Sequence, residues 1–133
     1  MAEQVAKAAE QTPYALLGGE PTLRRIVEGF YDHMEGDEDV RELRAMHAAD
    51  LAPMRARLFD YLSDALGGPM LYARRADRKC IVSAHMPFSI DAQARDQWMT
   101  CMGRALAEAG LTPELMSQLE RSFCRLADAL RNR

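Results

Sequence analysis

His85-Met86-Pro87-Phe88-Ser89-Ile90, followed eight residues later by Trp98, sets a candidate metal ligand directly against an enforced helix stop. Proline lacks an amide hydrogen and disfavours the α region for the residue before it, so a helix carrying His85 ends within a residue or two. The imidazole is then held at a helix end, where it can face a pocket. A single histidine beside apolar residues is equally a satisfied core histidine, so the reading turns on what flanks it.

On the C-terminal side, Ser89 is placed to cap a long helix reaching Ala109, with Ile90, Ala94, Trp98, Cys101, Met102 and Ala105 inward and Gly110 as its stop. Thr112-Pro113 opens a last helix, a hydroxyl cap followed by proline at the first position, whose apolar face is Leu115, Leu119, Ser122, Phe123, Leu126 and Leu130. On the N-terminal side, Met70 to Ala84 reads as a loop leading into a short helix. Ile81-Val82 could imitate a strand, but no second strand signal accompanies it. Before that loop, Asp50 can cap a helix with the stripe Leu51, Met54, Leu58, Tyr61, Leu62 and Ala65, halted by Gly67-Gly68-Pro69.

Val40 to His47 reads as one or two helical turns with Leu43 and Met46 inward. Pro21 suits the first turn of a longer helix, whose face is Leu23, Ile26, Val27, Phe30, Tyr31 and Met34. Tyr14, Leu16 and Leu17 form a short helix closed by Gly18-Gly19, and residues 1–12 read as a flexible tail. The expected architecture is all-α, with one domain over residues 13–133. A chain of 133 residues forms one core and buries about 68–70% of its unfolded surface.

Charge narrows the partners. Seventeen Lys and Arg against 20 Asp and Glu give 17 − 20 = −3, with the signs interspersed, which argues against nucleic acid. No apolar run approaches the ~20 residues of a membrane helix, and Met1–Gln11 lacks the apolar centre of a signal peptide, so a cytoplasmic protein is expected. Cys80, Cys101 and Cys124 are widely spaced with no C-x-x-C pair, which fits free thiols in a reducing compartment.

Which residues could carry chemistry? His33, His47 and His85 have no zinc-like spacing with the cysteines, and no H-E-x-x-H, G-x-S-x-G or glycine-rich phosphate loop occurs. Tyr31 is either an ordinary core phenol or a donor into a cavity, and Trp98 either a core filler or an indole N–H in need of a partner. His47 reads as a polar residue at a helix end. His33, two positions from Tyr31, reads as solvent-exposed. The methionines read as soft core filler. A single histidine suffices as the protein's ligand when the cofactor brings the equatorial ones, as haem does.

The residues in order resemble group II truncated haemoglobins, the two-over-two helical globins, over about Pro13 to Leu130. Gly18-Gly19 and Gly67-Gly68-Pro69 look like that family's glycine breaks, Phe30-Tyr31 like its aromatic pair on helix B, and His85-x-Pro87-Phe88-x-Ile90 like its proximal segment. Arg95-Asp96-x-Trp98-x-x-Cys101-Met102 looks like the start of its helix G.

The resemblance implies a two-over-two helical sandwich around haem b (iron protoporphyrin IX), with His85 as the iron ligand. It implies Tyr31, Trp98 and His47 as distal groups stabilising the bound ligand through charge-assisted hydrogen bonds. Met54 matches the position of the distal histidine in larger globins, and its thioether donates no strong hydrogen bond. Phe30, Leu58, Tyr61, Phe88 and Ile90 would form apolar walls, with Tyr72 and Met102 also against the cofactor.

The chain departs from the family between Asp77 and Ala84. There it carries Asp77-Arg78-Lys79 and Ser83-Ala84 instead of a Gly-His-Pro turn and a basic residue before the proximal histidine. Arg78, Lys79 or Tyr72 would have to meet the propionates. The implied function is reversible binding of oxygen, carbon monoxide or nitric oxide at five-coordinate iron, in a monomer or homodimer. Nitric-oxide dioxygenation or peroxide reduction with a separate reductase is compatible with the same site. The alternative from another class is a haem-free globin-like module for protein interaction or sensing.

Overall fold

A computed structural model describes residues 11–133, so the bulk of the expected N-terminal tail lies outside the described residues. Seven α-helices follow one another: α1 Pro13–Leu17, α2 Glu20–Gly36, α3 Arg41–Ala45, α4 Ala52–Ala65, α5 Ile81–His85, α6 Ala92–Ala107 and α7 Pro113–Ala129, with a 3-10 turn at Glu38–Val40 before α3. Among the described residues there is no strand, and no helix is long and apolar enough to cross a membrane. The all-helical order is the one that the resemblance implies.

The core is the crossing of α2 with α6, backed by α7 and by one face of α4. Leu23, Ile26, Val27, Phe30 and Met34 of α2 are fully enclosed, as are Cys101, Met102 and Leu106 of α6. Their three- and four-residue spacing is what directs them to one side. Where the helices cross, Gly29 faces Ala105, and a Cβ built on the glycine would lie 3.5 Å from the alanine methyl.

The helix limits have local causes. The hydroxyl of Thr12 accepts from Ala15 N–H, so that residue belongs to the cap of α1 and not to a tail. Gly18 and Gly19, with φ of +117° and +73°, then turn the chain into α2. The α6 cap is Asp91, whose carboxylate accepts from Ala94 N–H, where the expectation was Ser89; the helix therefore begins later, and it ends at Ala107. Aspartate two residues further on competes successfully because its charged oxygen makes the stronger bond to an orphan amide. Thr112 caps α7 as expected, accepting from Leu115 N–H. Asp50 accepts from Ala52 N–H at the entrance of α4.

Helix α4 differs from its expected stripe. Phe59, Leu62, Ser63 and Leu66 face the core while Ala65 is exposed, and Met54, Leu58 and Tyr61 are only half-buried. The helix has two apolar faces, and a single-stripe reading merged them. Ser63 is tolerated inside because its hydroxyl donates to Pro69 C=O at 2.7 Å.

His33 departs furthest from expectation. It is largely covered, its Nδ1 donating to Asp37 at 2.8 Å and its Nε2 to Glu108 at 2.6 Å, and so it clasps the end of α2 to the end of α6. Arg104 extends the clasp by binding both Asp37 and Asp39. Burial by itself would lower the His33 pKa, but the hydrogen bonds and charges of Glu108 and Asp37 outweigh it and raise the value above the ordinary 6.5. A histidine held charged in the fold stabilises fully below its unfolded pKa, and the contribution disappears as pH climbs through the raised one.

Two outcomes are expected. In urea titrations from pH 6 to 9, the wild type should lose stability above about 6.5 where His33→Gln does not; parallel curves would refute the charged clasp. Separately, a Cβ at Gly68 would lie 2.5 Å from the Tyr14 ring, whose backbone is pinned by Tyr14 N–H to Leu66 C=O. Gly68→Ala should therefore cost about 1–3 kcal/mol, and a midpoint shift worth under ~0.5 kcal/mol would show that the ring yields freely.

Candidate functional site

Two imidazoles define the site, each anchored through one nitrogen. His85, the last residue of α5, directs Nδ1 at Ile81 C=O, one turn back, at 2.5 Å. A carbonyl only accepts, so Nδ1 carries the proton and Nε2 keeps its lone pair. Among the described residues, no protein group bonds that nitrogen. His47 repeats the pattern just after α3, with Nδ1–H donated to Leu43 C=O at 2.9 Å. Burial holds its pKa below 6.5, against the hydrogen bond to Leu43 C=O and with help from the charge of Arg44. It is neutral at neutral pH, and its free Nε2 accepts hydrogen bonds.

Aromatic side chains connect the His47 ring to the core. Tyr31 lies edge-on to His47 with centroids 6.4 Å apart, and Phe30 lies edge-on to Tyr31 at 4.9 Å. Phe30 also meets Trp98 at 5.1 Å, and Trp98 meets Phe123 at 6.2 Å. Positions 30 and 31 of α2 and 98 of α6 are thus brought together by the helix crossing itself. Tyr31 is 3% exposed, yet among the described residues its hydroxyl has no protein partner. Burial raises the Tyr31 pKa far above 10, with Arg55 opposing weakly, so it stays a phenol and a donor. The Trp98 indole N–H is likewise without a protein partner among the described residues.

The remaining predicted residues fall into three groups. Met54, Leu58 and Tyr61 share the half-buried face of α4, with Tyr61 edge-on to Tyr72 at 5.3 Å. Ile90 is buried, and Met102 is wholly enclosed in the core behind Trp98's helix. Phe88 is 45% exposed, and so are its neighbours Val82 at 51% and Met86 at 64%. No residue of α5 is buried, although Ile81 and Val82 are apolar. Tyr72 is already engaged, its hydroxyl donating to Lys79 C=O and accepting from Lys79 N–H. Arg78 is turned back to Arg75 C=O.

Sequence reasoning missed the residues that hold these segments. Asn132 donates to Phe88 C=O at 2.8 Å and accepts from Ile90 N–H at 2.8 Å, tying the far C-terminus to the segment after His85. Asp64 receives the N–H groups of Tyr72 and Ala73 on its two oxygens. Gln97, buried on α6, accepts from Leu43 N–H at 2.9 Å and donates to Glu42, whose carboxyl it holds below the usual range. None carries a local signal, because each bond spans a sequence gap that patterning does not register.

A helix with an anchored imidazole, a free Nε2 and no buried side chain, in a chain that also leaves the Tyr31 and Trp98 donors without protein partners, fits a large flat apolar cofactor with a metal at its centre. The comparisons agree. The description of the bacterial-like globin family matches residues 12–132. The chain belongs to that family, as a group II truncated haemoglobin.

The cold-adapted truncated hemoglobin of the Antarctic marine bacterium Pseudoalteromonas haloplanktis TAC125 is 40% identical and superposes with a TM-score of 0.88 over 92% of this chain and 99% of that one. The group II 2-on-2 hemoglobin of Agrobacterium tumefaciens is 31% identical, with a TM-score of 0.86 over 91% and 94%. Group 2 truncated hemoglobin YjbI of Bacillus subtilis (strain 168) is 29% identical over 77% of this chain and 75% of its own. Family membership makes this truncated haemoglobin a haem globin that binds diatomic ligands.

Because the Tyr31 hydroxyl has no protein partner, Tyr31→Phe should leave the stability of the haem-free chain within about 0.5 kcal/mol of wild type. A loss above ~1 kcal/mol in chemical denaturation would mean that the hydroxyl is bonded within the fold instead.

Proposed function

We propose that this globin holds haem b through His85 and reversibly binds oxygen on the face guarded by Tyr31 and Trp98. The observation carrying the reading is the state of His85: its Nδ1–H is spent on Ile81 C=O, which fixes the ring and leaves Nε2 as the free σ-donor, on a helix with no buried residue. When bound, haem supplies a five-coordinate iron with one open position for a diatomic ligand.

The chain's own residues would then divide the work. The hydrogen bond to Ile81 C=O fixes the His85 tautomer and raises the basicity of Nε2. Tyr31 and Trp98 would donate to a ligand that becomes partly negative, in surroundings dry enough to strengthen each bond. His47 takes the complementary part: as a neutral ring with Nδ1 committed, edge-on to the Tyr31 ring, it would offer Nε2 to the distal side while the Tyr31 hydroxyl proton is left for the ligand. Met54, Leu58 and Tyr61 would cover one face and Phe88 and Ile90 the other, excluding water that would promote oxidation of the iron. Of the three residues considered for the propionates, Lys79 has an ammonium with no bond to protein among the described residues, whereas Tyr72 and Arg78 are engaged; we assign the contact to Lys79.

We also place the protein in the cytoplasm. Cys80, Cys101 and Cys124 are all free thiols, and burial pushes the Cys101 thiol up to about 11.

The deciding measurement is the visible spectrum of the haem-supplemented chain, oxidised, reduced, and reduced with carbon monoxide. A Soret band that shifts at both steps supports the reading, and a chain that retains no haem leaves the interaction-module alternative. His85→Ala should lose stable haem retention. Tyr31→Phe should accelerate oxygen dissociation by about tenfold or more, as expected for loss of a charge-assisted bond of about 1.5–3 kcal/mol. A stopped-flow rate equal to wild type would remove Tyr31 from this role.

A further inference from the structure

Gln97 is a buried amide on α6, immediately before Trp98, and both ends of its side chain are used on α3. Its Oε1 accepts from Leu43 N–H at 2.9 Å, and its Nε2 donates to Glu42 Oε2 at 3.0 Å, across 54 and 55 residues of sequence. Leu43 is the third residue of α3, so its N–H is one of the four donors that a helix start leaves without an intrahelical acceptor. The carbonyl of the same residue accepts the Nδ1–H of His47. Three groups are therefore in series: the Gln97 amide, the Leu43 backbone and the His47 imidazole.

The segment needs such a tether. Helix α3 has five residues, fewer than a stable isolated helix, and between Asp37 and Ala49 only Val40 and Leu43 are buried. Arg104 holds the front of the segment through Asp37 and Asp39, and Arg44 gathers the carbonyls of His47, Ala48 and Ala49 at its back. Of these ties, that of Gln97 reaches Leu43, the residue whose carbonyl holds the His47 ring. It also sits beside Trp98, so one short stretch of α6 supplies both a distal donor and the anchor of the opposing ring.

We propose that Gln97 is a positioning residue of the distal site, which sets the location and the Nδ1–H tautomer of His47 by pinning Leu43. This rests on the reading of His47 as a distal group. It differs from a purely structural role, in which Gln97 would do no more than satisfy a buried N–H, because it requires the state of the His47 ring to follow the amide.

The test uses the full chain reconstituted with haem, as the ferrous carbon monoxide complex, together with the haem-free chain. Nitrogen NMR of the His47 ring reads the tautomer in both forms, and the infrared C–O stretch reads the polarity met by the ligand. Gln97→Leu should reduce protection of the Leu43 amide from exchange at least tenfold. It should also introduce the Nε2–H tautomer and shift or split the C–O band. Glu42→Ala, which removes only the exposed half of the clamp, should move the same signals less and keeps the test open if Gln97→Leu folds poorly. The exchange Gln97→Glu with Glu42→Gln rebuilds both hydrogen bonds with the charge moved, and should restore the single wild-type tautomer. An unchanged His47 tautomer in both Gln97→Leu and Glu42→Ala would overturn the proposal. So would a C–O band moved by His47→Leu but not by Gln97→Leu. A band unmoved by His47→Leu itself would overturn the distal reading of His47, and the proposal with it.

Discussion

The crossing of α2 over α6 is the constraint from which the other features follow. Its inner surface is built from Leu23, Ile26, Val27 and Phe30 against Cys101, Met102, Ala105 and Leu106, side chains whose burial is worth on the order of 1.5–3 kcal/mol each for the larger ones. The packing is dense, so it fixes the rotation of both helices about their axes. Rotation is what matters for the site. Once Phe30 and Met102 are inward, Tyr31 and Trp98, at the next positions on their helical faces, emerge along one edge of the crossing with Phe30 between them. The donors are placed by apolar packing, and no hydrogen bond of their own is used for it.

That division explains where polar capacity is spent. Among the described residues every side-chain nitrogen or oxygen wholly sealed from solvent has a partner. Against that background, the groups left over are informative: the Tyr31 hydroxyl, the Trp98 indole, and one nitrogen each of His47 and His85. In both histidines the bonded nitrogen faces a backbone carbonyl at i−4. The same local geometry thus leaves each ring one nitrogen that is not used on the backbone, which on the proposed reading serves His85 as a ligand atom and His47 as an acceptor. The surface ion pairs of Arg75 and Arg95 do not enter this arrangement, whereas Arg55 lies over the Tyr31 ring.

Much of this could be read from the chain in advance, where one residue sufficed to impose the outcome. Pro87 ends α5 at His85; Gly18, Gly67 and Gly110 take positive φ at helix exits; Thr112 caps α7. The periodic face of α2 appears as its spacing implies, and α7 buries Leu115, Leu119 and Phe123 as expected but Ala127 in place of Leu126, which is half-buried. What escaped are outcomes of competition or of distance. Asp91 outcompeted Ser89 as a cap, an issue of bond strength between two eligible residues. The two faces of α4 merged because Tyr61 and Leu62 are adjacent and both apolar, and Phe59 of the core face was left out. His33 could not be placed without knowing that Glu108, 75 residues away, would lie across from it. Gln97 and Asn132 were not singled out for the same reason. The aromatic contacts of Tyr31 and Trp98 with Phe30 follow from helical spacing, but the amides that hold the neighbouring segments do not.

The proximal segment shows why those long-range amides matter. A five-residue helix with no buried side chain has neither the length nor the apolar contact to be stable by itself. It is bracketed instead. Upstream, Asp64 holds Tyr72, and Tyr72 in turn holds the backbone of Lys79, just before α5 begins. Downstream, Pro87 limits the exit and Asn132 grips Phe88 and Ile90. The brackets fix the ends of a segment whose middle has no core beneath it, so the energy missing from its packing has to come from whatever covers Ile81, His85 and Phe88. A group that binds only the folded arrangement adds its binding free energy to the fold. If haem sits on His85 as proposed, the helix bearing it would be the element whose order depends most on the cofactor, whereas the α2–α6 crossing that places Tyr31 and Trp98 is packed by its own side chains.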